Sequence, residues 1–102
     1  MVNKTLLVEK LRPLRPEKII LFGSAARGKL TPDSDIDLLI IKDTKKNPAE
    51  RVAEVLNLVW GNIPKVEPQV LTPTEFNLAV HQNRFFITQE VLKHGQVIYE
   101  KQ

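Results

Sequence analysis

The spacing of apolar residues along this chain switches repeatedly between two periods, and each switch marks a new element. From Asn3 to Leu14 the apolar residues Leu7, Leu11 and Leu14 recur at helical spacing, and Pro13 and Pro16 end the pattern. Lys18-Ile19-Ile20-Leu21-Phe22 follows, a short run rich in β-formers closed by Gly23, which reads as a buried strand. A polar stretch from Gly28 to Ser34 leads into Asp35-Ile36-Asp37-Leu38-Leu39-Ile40-Ile41. There period two puts Asp35 and Asp37 on one face of a strand, and Ile36, Leu38 and Ile40 on the other.

The second half is punctuated by caps. Asn47, Pro48 and Glu50 form a helix start, and Val52, Val55, Leu56 and Val59 carry an amphipathic helix to about Gly61. Val66 to Leu71 reads as a strand, and Pro68 inside it argues for an edge position or a bulge. Thr72-Pro73-Thr74-Glu75 repeats the capping pattern and starts a short helix through Phe76 and Val80. Phe85 to Lys93 predicts one more helix, closed by Gly95, before Val97-Ile98-Tyr99 as a last extended piece. The sum is an α/β (α+β) fold, a mixed sheet flanked by helices.

Composition narrows the setting. With 102 residues, 42% of them hydrophobic, residues 1–102 are expected to form one compact domain. The absence of cysteine excludes a disulfide framework, a thiolate zinc site and a cysteine nucleophile. The longest apolar run, Leu38 to Ile41, is far shorter than the roughly 20 residues of a membrane helix. A cytoplasmic protein without a membrane partner is expected. The net charge of +3 is spread among twelve acids, so no basic arm stands out and nucleic acid is not an expected partner.

The chemistry concentrates in two short segments. Asp35 and Asp37, alternate residues on one strand face, can share divalent cations, since hard oxygen ligands suit Mg²⁺. An isolated Asp-x-Asp is equally a polar turn entering a strand. Gly23-Ser24 lets a backbone approach a phosphate, and Ser24 can open a helix with Ala25-Ala26-Arg27 as its first turn. Arg27 can steady that turn, the loop carrying Asp33, or a phosphate. Taken alone, Gly23-Ser24 is also a plain strand-to-helix turn. His81 and His94 form no metal spacing and receive no role, and Asp43 reads as a turn residue. Trp60, Phe76, Phe85 and Phe86 read as core or interface residues, and exposure of the Phe85-Phe86 pair would favour an interface.

Gly23-Ser24-Ala25-Ala26-Arg27-Gly28 followed by Asp33-Ser34-Asp35-Ile36-Asp37-Leu38-Leu39 resembles the signature of the DNA polymerase β-type nucleotidyltransferase superfamily, in its minimal branch. The resemblance extends more loosely to Gly95-Gln96-Val97-Ile98-Tyr99. It implies transfer of a nucleoside monophosphate from ATP or another nucleoside triphosphate onto a hydroxyl. Two Mg²⁺ ions would be held by Asp35, Asp37 and a third carboxylate, here Glu67, with Gly23, Ser24 and Arg27 binding the nucleotide. It also implies a helical HEPN-type partner, often a toxin, with this chain as its antitoxin and the acceptor on the partner.

Glu67 stands where the family usually places Asp, and Pro68-Gln69 follows it where apolar residues are usual. The longer side chain shifts the carboxylate by about one methylene, against a catalytic tolerance of about 0.5 Å. Two readings of Glu67, catalytic and solvated, therefore stand side by side. The second makes the domain a binding module that neutralises its partner by contact. Homo-oligomerisation is left open.

Overall fold

Three of the helices among the described residues start at a side-chain cap. The computed structural model describes residues 3–28 and 34–102, with the side chain of Phe86 also left out. Asn3 caps the first helix, α1 (Lys4–Leu11), by accepting from Leu6 N–H at 3.0 Å, and Arg12–Leu14 tighten into a 3₁₀ turn at Pro13. There follow β1 (Lys18–Phe22), β2 (Ile36–Ile41), α2 (Pro48–Val59), β3 (Val66–Leu71), α3 (Pro73–His81), α4 (Phe86–Lys93) and β4 (Gln96–Glu100). The helix starts at Asn47/Glu50 and Thr72/Glu75 both form reciprocal capping boxes. α4 departs from expectation in being wound wider than an α-helix, in the π manner.

The strands make one mixed sheet in the order β3-β2-β1-β4. β1 runs antiparallel to both β2 and β4, while β2 and β3 are parallel. The alternation read from the sequence sorts the sheet into two faces. Ile19, Leu21, Ile36, Leu38, Ile40, Val66 and Val70 pack against Leu7 and Leu11 of α1 and Val55 and Val59 of α2. Ile20, Phe22, Leu39 and Ile41 pack on the other face against Ala79, Ile87 and Val91 of α3 and α4. Each fully buried side chain of this size stabilises the fold by about 1.5–3 kcal/mol before entropy is counted. Asp37 belongs to the second face, which α3 and α4 leave partly open.

Pro68 sits in an edge strand, as its residue type requires. Lys65 C=O accepts from Ile36 N–H and Leu71 C=O from Lys42 N–H, so the odd residues of β3 turn their peptide groups to β2. Pro68 therefore faces the free edge, where its missing N–H breaks no ladder. Two residues on, the Val70 carbonyl accepts from Arg51 Nη1 at 3.3 Å. Arg51 is the one buried charged residue among those described, and it also donates to Lys46 C=O at 2.7 Å and Glu75 Oε1 at 2.7 Å. That bond and the Thr72 amide hold the Glu75 carboxyl below its ordinary range.

The aromatic residues divide. Phe76 packs against the second core face, whereas Trp60 is 84% exposed and Phe85 73% exposed, so neither is a core residue. No helix among the described residues is long and apolar enough to cross a membrane.

Candidate active site

β1 ends at Gly23, whose backbone turns with φ at +67°, a region that favours glycine. A side chain there would run into the Asp37 carboxylate, whose Cγ would lie 3.3 Å from the added carbon. The glycine is therefore what lets the turn lie directly over Asp37. Beyond it the expected helix does not form. Residues 23–28 make turns, with a single helical bond from Arg27 N–H to Gly23 C=O at 3.2 Å. Ala25 and Ala26 anchor this segment against the α1–α2 core, and Ser24 and Arg27 face solvent. With no regular helix behind it, the turn can attract an anion only through individual N–H groups and the Arg27 cation. Asp33 lies outside the described residues.

Asp37 lies in register with Glu67 across the parallel pair β2–β3, and both occupy the face that carries Leu39 and Leu71. Their carboxyls are neighbours, near enough for the protonated Asp37 carboxyl to donate to Glu67. Partial burial first, then this bond and the charge of Glu67, then Asp35 and Glu90, push the Asp37 carboxyl up from 3.8 to about 6. Asp35, one residue before β2, is exposed and close enough for its charge to reach Asp37. Asp37 thus stands on the face opposite Ile36, Leu38 and Ile40, as the period-two reading expects, and Glu67 is exposed beside it on β3.

Arg27 meets a residue that sequence reasoning passed over. Its Nη2 donates to Glu90 Oε1 at 3.1 Å and Oε2 at 3.0 Å. Glu90 sits on α4 between Ile87 and Val91, whose buried side chains fix the helix to the sheet. The available signal was a charged residue at the rim of the apolar stripe of the helix covering the Asp37 face. The wide winding of α4, which sets where that rim points, has no sequence signature. Five of the six expected site residues, Gly23, Arg27, Asp35, Asp37 and Glu67, thus converge with Glu90, and Ser24 stands in the turn beside them. His81, His94 and Asp43 are exposed and take no part.

Among the described residues no three His, Cys, Asp or Glu side chains form a ready-made cation cage. The donor set nonetheless suits a hard divalent cation. Two neighbouring carboxyls, with Asp35 close by, offer a place where a cation can relieve their repulsion.

With this geometry in hand, comparison with known proteins is direct. The profile described as a nucleotidyltransferase domain matches residues 5–98. A candidate protein adenylyltransferase of Methanocaldococcus jannaschii, MJ0604, is 38% identical over 87 residues, covering 83% of this chain and 80% of that protein. The crystal structure of a candidate nucleotidyltransferase from Sulfolobus solfataricus superposes with a TM-score of 0.61 at 25% identity, covering 96% of this chain and 77% of that one. A toxin-antitoxin structure with AMP-PNP superposes at 0.58 and 21% identity, covering 99% and 76% of the two chains, and a mutant of the toxin-antitoxin MntA-HpeT at 0.59, 19% identity and the same coverage. These last two share the fold.

Proposed function

This chain belongs to the nucleotidyltransferase domain family, and from that premise we propose that it moves AMP from ATP onto a hydroxyl of a partner protein, as the antitoxin of a HEPN-type toxin. The observation that carries the catalytic part is the Asp37–Glu67 pair, in register and neighbouring, directly beneath the Gly23 turn. The acceptor class rests on the likeness to a candidate protein adenylyltransferase, and the toxin partner on the fold neighbours and the family resemblance. ATP as substrate gives the reaction a cytoplasmic setting, with residues 1–102 acting as one nucleotidyltransferase domain.

Asp35, Asp37 and Glu67 would hold two Mg²⁺ ions, which when bound offset triphosphate charge and polarise the attacking and leaving oxygens. The protein's own residues do the rest. Gly23 keeps the backbone low enough for phosphate oxygens to approach, and Ser24 and Arg27 supply donors from the solvent side. Glu67, beside Asp37, would take the proton that the acceptor hydroxyl gives up. A protein acceptor suits the surface beside the site. Trp60, Leu56 and Ile63 line an apolar groove that ends at Val66, next to Glu67 and at the same end of the sheet as Asp35. Exposed apolar surface of this kind marks partner contacts.

A second reading, a module that neutralises its partner by contact alone, is favoured by Glu67, the longer carboxylate followed by Pro68 and exposed on β3. The two separate by experiment. With ATP labelled on its α-phosphate, Mg²⁺ and a co-expressed helical partner, transfer predicts label on the partner, lost in Asp35→Asn and Asp37→Asn. A complex that forms without label from any nucleotide leaves only the contact reading.

A further inference from the structure

Glu90 makes a contact that the reading above does not use. It accepts two hydrogen bonds, at 3.1 and 3.0 Å, from one nitrogen of Arg27, so Nε and Nη1 are not spent on it. A guanidinium held by one nitrogen keeps donors for a second set of oxygens in a fixed orientation. The anchor is firm where it needs to be. Ile87 and Val91, flanking Glu90 on α4, are 1% and 2% exposed, while the Arg27 and Glu90 side chains are 41% and 29% exposed at the site's mouth. Arg27 itself comes from a short turn that, among the described residues, is held by Ala25, Ala26 and one backbone bond, which do not fix a long side chain.

We propose that Glu90 is a positioning residue, which holds the Arg27 guanidinium beside the Gly23–Ser24 turn with its remaining N–H donors set to meet the phosphates of a nucleoside triphosphate. The inference rests on the triphosphate reading above. Without Glu90, Arg27 must be ordered at the moment of binding, and that ordering weakens affinity. The competing roles of Glu90 give opposite results. As a bystander acid facing Asp37, it would repel phosphate, and its removal would tighten binding. As a metal ligand or proton acceptor, its removal would lower kcat.

The test titrates the full chain with Mg²⁺ and a non-hydrolysable ATP analogue by calorimetry, each variant first checked by a thermal melt. Glu90→Ala should weaken binding about tenfold, the effect of freeing one long side chain. Glu90→Asp should recover part of the loss, and Glu90→Ala in an Arg27→Ala background should cost nothing further. In the labelling assay Glu90→Ala should raise KM for the nucleotide and leave kcat within about twofold. Unchanged or tighter binding by both Glu90→Ala and the isosteric Glu90→Gln overturns the inference. So does a Glu90→Ala loss that adds fully to that of Arg27→Ala, or a fall in kcat at constant KM. If the wild type binds no triphosphate, the nucleotidyltransferase reading fails with it, whereas loss in Arg27→Ala with none in Glu90→Ala sinks the positioning role alone.

Discussion

Asp37→Asn is expected to make the metal-free protein more stable at neutral pH, although it removes a residue assigned to the chemistry. In the folded chain the Asp37 carboxyl is pushed up from 3.8 to about 6, chiefly by burial and by Glu67. Between those values the folded state holds the proton more tightly than the unfolded state. Native stability therefore falls as pH rises through that window, and the loss is complete above it. At about 1.4 kcal/mol per pH unit the upper bound is about 3 kcal/mol, and solvent screening at this half-exposed position cuts it to about 1 kcal/mol. An Asn carries no charge at any pH and escapes the loss. For a domain of this size about 1 kcal/mol moves Tm by about 4–8 °C. The assay is a pair of thermal melts in chelator at pH 7.5 and pH 4.0, wild type against Asp37→Asn. The variant should melt higher at pH 7.5 and level with wild type at pH 4.0. Adding Mg²⁺ at pH 7.5 should raise the wild type alone, because only it keeps the full carboxylate set. A variant no more stable at pH 7.5, or more stable by the same margin at both pH values, would refute the reasoning.

Other expectations follow from the same geometry. Gly23→Ala forces a side chain at φ +67° toward the Asp37 carboxylate, and should cost about 1 kcal/mol of stability by denaturant titration. The same change should weaken Mg²⁺–nucleotide binding at least tenfold by calorimetry, since the turn must lift off the site. Arg51→Met strips donors from the Lys46 and Val70 carbonyls and should lower the urea midpoint by an amount equal to about 2–3 kcal/mol, with Arg51→Lys failing to restore it. Trp60→Ala, at an 84% exposed position, should leave Tm nearly unchanged and weaken co-purification with the partner proposed above. Full retention of the complex would remove the groove from the interface.

The parts of the fold legible in the sequence are those decided by neighbours in the chain. Asn47 with Glu50 and Thr72 with Glu75 announce their helices because a cap is a local hydrogen-bond exchange, and both exchanges form. The alternation of Asp35, Ile36, Asp37 and Leu38 sorts carboxylates from core because the strand pleat has period two. Glu67 could be matched to Asp37 only through the family resemblance, since the register of β3 against β2 is a long-range pairing. Glu90 and Arg51 escaped for the same reason. Their partners lie 63 and 24 residues away in Arg27 and Glu75, and nothing in a local window ties such residues together. The helix expected after Ser24 fails because its Ala-Ala-Arg turn leads straight to Gly28, at φ +69°, which ends it within one turn.

The Pro68 edge bears on how this protein can be recognised. A bare strand edge invites another chain to add a strand through backbone bonds that read no sequence. Along β3 that route is closed, since Pro68 offers no N–H and the Val70 carbonyl already accepts from Arg51. At the opposite edge β4 is five residues long, and its pairing with β1 is broken by a register shift between Ile19 and Ile20. On the β3 side, where the acidic pair lies, a partner must therefore be selected by its side chains. A single proline and a buried arginine thus let the domain leave other exposed strands alone.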